Sequence, residues 1–150
     1  MKRDDGAAHI PGIARFLGYG GVLPFAAIAV NQVAGGPLSE DFALKVFLSY
    51  SAAILSFLGG IRWGAATNLQ QAMGRELTIS VAPSLWAASS LLLGSAQWSV
   101  WGLLSGFVLM GIIDARWPVR GIAAWMVGLR IRLTVAVVIC HLVLVTALPG

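Results

Sequence analysis

Few residues in this chain could do chemistry, and their positions narrow what that chemistry could be. Arg62 lies in GGIRWGAA inside a long apolar run, and Asp114 closes another. Ionisable groups within membrane-spanning stretches mark functional sites by default, because hydrocarbon penalises an unpaired charge. Arg62 has two readings. It can snorkel to lipid headgroups with Trp63 anchoring at the interface, or it can turn inward and pair with Asp114. His141 lies deep in the last apolar run beside Cys140, where an imidazole needs a hydrogen-bond partner. One His and one Cys without further ligands at helical spacing do not make a metal site, and His141 is the one candidate for an axial haem ligand in the core. No metal and no cofactor are expected. The sequence contains no Gly-x-Ser-x-Gly, no His-Glu-x-x-His and no P-loop. A membrane enzyme would need a second buried acid or base near Asp114, and Tyr19, Tyr50 and His141 fall at other depths. No catalytic residue is assigned, and the chain reads as a non-enzyme.

The elements that must position these residues follow from composition. Hydrophobic residues make up 58% of the 150, charged residues 11%, and the mean hydropathy is +0.84. A soluble domain carries about 25% charged residues, so the bilayer is the solvent this composition suits. The net charge of +4 does not indicate nucleic acid, since the basic residues lie in short segments between apolar runs rather than on a soluble face. The single cysteine permits no internal disulfide. The N-terminal MKRDDGAAHIPGIAR is too long and polar to open a signal peptide, so the first apolar run is expected to be a retained span.

A membrane helix needs about 20 mostly apolar residues. Residues 16–34 supply the first span, ended by Gly35-Gly36-Pro37, and residues 43–66 the second. Residues 77–113 are 37 positions without a charge. As one helix they would extend about 55 Å, well beyond a hydrocarbon core of about 30 Å. They must fold back, and Gly94-Ser95-Ala96-Gln97 is the small, polar place to turn. Spans three and four are therefore 78–94 and 97–113. A loop with a short amphipathic stretch from Ile122 to Leu129 leads to a fifth span at 132–148. The expected architecture is all-α: one domain, residues 1–150, a membrane bundle of five helices.

Lys and Arg set the orientation. Lys2, Arg3, Arg15, Arg62, Arg75, Arg116, Arg120, Arg130 and Arg132 fall on one side of this topology and Lys45 alone on the other. The N-terminus is predicted in the cytoplasm and the C-terminus outside, with localisation in a bacterial inner membrane. Arg62 and Asp114 then lie at the same leaflet, which favours their pairing. Arg116, Arg120, Arg130 and Arg132, with Arg62, form a cytoplasmic collar suited to anionic lipid headgroups or an acidic partner. Arg130 and Arg132 read as orientation and lipid-phosphate contacts rather than as a site. Of the six acidic residues only Asp114 comes near a plausible buried site. Trp63, Trp86, Trp98, Trp101, Trp117 and Trp125 are expected near span ends as an aromatic belt.

Helices in lipid pack through small residues spaced four apart. Ala52, Ser56, Gly60 and Gly64 make one such stripe, Gly102 and Gly106 another, and Ser80, Ser84 and Ala88 a third. A five-helix bundle needs several seams, so these stripes are expected to pack internally rather than against a partner chain.

The runs FLGYGGVLPF, YSAAILSFLGGIRWG, VAPSLWAASSLLL and WMVGLRIRLT, with an Asp ending span four, resemble one family over residues 12–146. It is the bacterial and mitochondrial family known as domain of unknown function 3429, the transmembrane protein 69-like proteins. Ile54 to Gly64 is the most specific part. The matching positions are Ser56, Gly59, Gly60, Trp63, Gly64, Pro83, Ser84, Asp114, Trp125, Leu129 and Arg130. The chain departs from the family's Pro-x-Trp-Tyr, reading Ala-Ala-Trp-Met from Ala123 to Met126. The resemblance implies a small multi-span bundle without an established activity. The function expected is a non-enzymatic accessory or assembly subunit of a larger membrane complex, with a partner membrane subunit. The alternative is a small transporter or lipid-handling protein with a polar site at Arg62 and Asp114.

Overall fold

In lipid a chain can satisfy its own backbone along an uncharged run only as a helix or a closed barrel. The computed structural model describes residues 10–148 except 68, 70–72, 93, 94 and 121, and the regular structure among them is helical throughout. Lys2, Arg3 and Gly94 lie outside the described residues. The helices are α1 (Gly12–Gly20), α2 (Leu23–Ala34), α3 (Glu40–Ala66), α4 (Met73–Leu92), α5 (Ala96–Arg116) and α6 (Ala124–Ala147).

The first two form one broken span. Pro24 has no N–H to offer the Gly20 carbonyl, so the α-helical ladder cannot run through. The chain turns at Gly21 and Val22, and the Tyr50 hydroxyl donates to the Gly21 carbonyl at 3.0 Å, tying the break to α3. The span ends where Gly35 adopts φ of +64°, a left-handed conformation that glycine takes without strain. Asn31 then closes the turn, its Oδ1 accepting from the Leu38 N–H and its Nδ2 donating to the Leu38 carbonyl.

Gly12–Ala34, α3, α5 and α6 are each long and apolar enough to cross a membrane. The remaining helix, α4, is about 30 Å long at 1.5 Å per residue but carries Arg75, Glu76 and several serines. It is the fifth member of the bundle by its packing between α3 and α5.

Some boundaries differ from expectation. Ala96 and Gln97 are in α5 rather than in a turn, with Ser95 preceding the helix. The stretch from Ile122 to Leu129 is not a loop, because α6 begins at Ala124 and takes Arg130 and Arg132 inside it. Nothing between Ala124 and Ala147 breaks a helix, and burial of Arg130 against counter-charges removes the reason to keep it in water.

Three aromatic rings build the centre. Phe25 of α2, Phe47 of α3 and Phe107 of α5 meet with His141 of α6, and the four are fully buried. The closest backbone approach is between α3 and α4, where a Cβ on Gly59 would collide with the Ser80 carbonyl and touch Pro83. On α5, a Cβ at Gly102 would meet Ser90 Oγ at 2.6 Å, and one at Gly106 would meet Leu55 and Trp86. Trp86 is mid-helix, donating from Nε1 to the Gly102 carbonyl at 2.7 Å, so it joins α4 to α5 instead of standing in an interfacial belt.

The stripe expected to pack internally on α3 does so only in part. Ala52 and Ser56 are half-buried, but Gly60 and Gly64 are exposed with open space where a Cβ would go. The packed glycine is Gly59, one residue round the helix.

Gly59→Ala should therefore force α3 and α4 apart and destabilise the bundle by about 1–3 kcal/mol, as overpacking does. Gly60→Ala should be neutral or stabilise by up to about 1 kcal/mol. Thermal unfolding of both variants in the same detergent, followed by tryptophan fluorescence, checks the contrast.

Candidate functional site

An up-and-down bundle brings the C-terminal ends of α3 and α5 and the N-terminal ends of α4 and α6 to one end. Each contributes one charged side chain that is buried there: Arg62 (0% exposed), Glu76 (5%), Asp114 (1%) and Arg130 (4%). Two guanidinium groups and two carboxylates leave the group neutral, the condition under which buried charge is tolerable.

Asp114 is the hub. Its Oδ1 accepts from Arg62 Nη2 at 2.9 Å and Nε at 3.3 Å, the paired contact that a planar guanidinium makes with a carboxylate. Its Oδ2 accepts from Arg130 Nε at 2.9 Å and lies 2.8 Å from Nη2 in the same ion pair. Arg62 Nη1 reaches Glu76 Oε2 at 2.8 Å, and Nη2 also donates to the Trp117 carbonyl at 2.7 Å, just beyond α5. Arg130 Nη2 donates to the Leu58 carbonyl of α3 at 3.3 Å. Asp114 stands at a helix C-terminus, the end that disfavours an anion. Two arginines offset that cost. Glu76 at the start of α4 and Arg62 near the end of α3 both agree with their own helix dipoles. One donor is left over: Arg130 Nη1 is buried with no partner among the described residues. Arg130 also borders an apolar cavity of about 340 Å³ between α1, α3 and α6.

The other candidate residues lie elsewhere. Arg116, Arg120 and Arg132 are exposed, so the basic collar keeps these three and loses Arg62 and Arg130 to the cluster. Arg75 sits 5.8 Å over the Trp117 ring. Trp63 is exposed, Pro83 is buried against Gly59, Ser84 is half-buried, and Trp125 lines the cavity. His141 is a core residue. Its Nδ1 lies 2.9 Å from the Val137 carbonyl, which can only accept, so Nδ1 carries the proton. Nε2 then accepts from the Ser51 hydroxyl at 3.2 Å. Both ring nitrogens are used, leaving neither to ligate a haem iron. Cys140 beside it is a buried thiol. Among the described residues no three His, Cys, Asp or Glu side chains gather as metal ligands would.

The family model for proteins of unknown function (DUF3429) matches residues 10–146. The chain belongs to that family. It is also 35% identical over 85 residues to transmembrane protein 69 of Xenopus tropicalis, an alignment covering 55% of this chain and 33% of that protein. The chain thus spans about a third of the relative's length. No solved structure matches. The family match and the apolar helices make the chain a multi-pass membrane protein, and the matched region holds all four cluster residues.

Two members of the cluster escaped sequence reasoning. Glu76 looked like part of a polar connection, yet it is the first-turn acid of α4. Its signal was the α3–α4 hairpin, which folds position 76 back beside position 62. Arg130 looked like a loop cation because the start of α6 was placed too late.

Asp114→Ala should leave two buried guanidinium groups without their shared anion and destabilise the protein by about 3–5 kcal/mol. Arg116→Ala should change stability by less than about 0.5 kcal/mol. Replacing Arg62, Glu76, Asp114 and Arg130 together by Met and Leu should recover most of the loss, since a buried ionic group can be exchanged for apolar packing. Urea unfolding in mixed micelles measures all three.

Proposed function

We infer that this membrane protein is a non-enzymatic accessory or assembly subunit of a larger complex in the bacterial inner membrane, its arginine-rich end in the cytoplasm. The observation that carries this reading is the outward face of α3. Phe42, Val46, Ser49, Ala53, Phe57, Gly60 and Gly64 follow one another at spacings of three and four, and all are exposed. Within that face Ser49 with Ala53, and Gly60 with Gly64, repeat small residues four apart. Lipid tails are as apolar as any side chain, so burial gives two membrane helices no gain. Close backbone approach at small residues does. Gly60 and Gly64 offer that approach, and none of the described residues uses it.

The charge cluster supports the non-enzymatic part of the reading. Its carboxylates and all but one guanidinium nitrogen are engaged with groups of the same chain. A transporter built on Arg62 and Asp114 would call for a polar cavity opening at the pair, whereas the side chains there face each other. That alternative has less support.

Tagged protein extracted in mild detergent should copurify with one complex in fixed stoichiometry, and a photocrosslinker at Ala53 should join the two. Gly60→Leu with Gly64→Leu should abolish both results while leaving thermal unfolding of the isolated chain unchanged. Recovery of the parent chain only as a free monomer, without a crosslinked species, would overturn the reading.

A further inference from the structure

The cavity between α1, α3 and α6 is the feature that neither the fold nor the accessory reading explains. It measures about 340 Å³, within the range of small-molecule sites. Its α1 wall is loosely held: α1 packs mainly on α6, where Gly18 rests against Leu133. Leu17 of α1 and Phe57 of α3 line the cavity and remain 64% and 63% exposed, so it opens sideways toward the bilayer rather than toward water.

Its length matches one leaflet. Along α6 the lining runs from Trp125 to Val137, about 18 Å at 1.5 Å per residue. Half of a hydrocarbon core is about 15 Å. The lining is apolar apart from Thr134 and, near the arginine-rich end, Arg130. Arg130 holds the buried Nη1 that has no partner among the described residues. A buried donor without an acceptor is costly, and because Nη1 is shut off from bulk water its acceptor must arrive through the cavity that Arg130 borders. Arg15, in the first turn of α1, and Arg132, midway along the α6 lining, are both exposed beside the cavity. Exposed cations there attract anionic headgroups.

We propose that this cavity binds one anionic glycerophospholipid from the arginine-rich leaflet. One acyl chain lies along α6 between α1 and α3. After a small shift of the guanidinium, Arg130 Nη1 donates to the ester carbonyl at the head of that chain. Arg15, in the first turn of α1, faces the phosphate nearer the membrane surface, and Arg132, two residues deeper along α6 than Arg130, reaches back toward it. The cavity selects an anionic headgroup by its arginines. The site adjoins the partner face on α3, since Phe57 belongs to both, but its remaining lining residues lie off that face.

Native mass spectrometry of the purified chain, titrated with phosphatidylglycerol or with phosphatidylcholine of the same acyl chains, tests the proposal. One phosphatidylglycerol should be retained per protein at detergent activation that strips phosphatidylcholine. Ala14→Trp fills the cavity from α1, and Met126→Trp fills it from α6 should the first variant not fold. Either should weaken retention roughly tenfold, the loss expected when two methylenes are kept out of an apolar site. Arg15→Gln with Arg132→Gln should remove the preference for phosphatidylglycerol and leave residual binding of both lipids. Equal retention of the two lipids by the parent chain would overturn the proposal, as would undiminished retention in a folded cavity-filled variant.

Discussion

One carboxylate holds this bundle's arginine-rich end together. Asp114 offers one oxygen to Arg62 of α3 and the other to Arg130 of α6, while sitting on α5. Arg62 extends the link to Glu76 of α4. Four of the five spans therefore meet in a neutral set of four charges. In hydrocarbon the hydrophobic effect gives helices no reason to prefer one another, so interactions of this kind, together with close packing, decide the arrangement. The cluster also sets helix register. A carboxylate that must meet a guanidinium on each oxygen leaves little freedom for α3 or α6 to slide, and sliding would strand a charge in a medium that does not solvate it.

The other end of the molecule has no such device and relies on shape. Phe25, Phe47 and Phe107 close around His141, whose ring is fixed by Ser51 and Val137. Elsewhere Gly59 admits the α4 backbone at Ser80, while Gly102 and Gly106 make room for the side chains of Ser90, Leu55 and Trp86. The broken first span is the exception. Its second half, α2, is held by Phe25 in the aromatic centre and by the bond from Tyr50. Its first half, α1, contributes none of the four cluster residues and packs mainly on α6. That weak attachment leaves space beside Arg130, the one cluster residue with a donor to spare.

Much of this was legible in the sequence, and the losses have physical causes. Span number followed from length, since 37 uncharged residues cannot cross once. The meeting of Arg62 and Asp114 followed from topology, because an even number of crossings separates the ends of spans two and four. Glu76 and Arg130 were misread for one reason: charge was taken to mark helix ends. A span can instead begin a turn or two before its charged residues when those charges neutralise one another inside. Hydropathy counts single residues and cannot register that cancellation. The glycine stripe failed differently. Spacing of four identifies a face but not which neighbour it meets, and Gly59 and Gly60 differ by only about 100° around α3.

That rotation separates two roles along one helix. The family-matched Leu-Gly-Gly-x-Arg-Trp-Gly segment puts Gly59 against α4, Arg62 into the cluster, and Gly60 and Gly64 outward. Its inward residues explain themselves through packing and charge pairing within this chain. The outward pair does not, because glycine in a helix interior costs about 1 kcal/mol relative to alanine and nothing in this chain needs the space. Two such glycines, four residues apart beside a self-satisfied ionic cluster, place the unexplained part of the molecule on its lipid-facing surface. A site of action that lies on the surface of α3, rather than among the charged groups, suits a protein whose interior chemistry is already spent on folding.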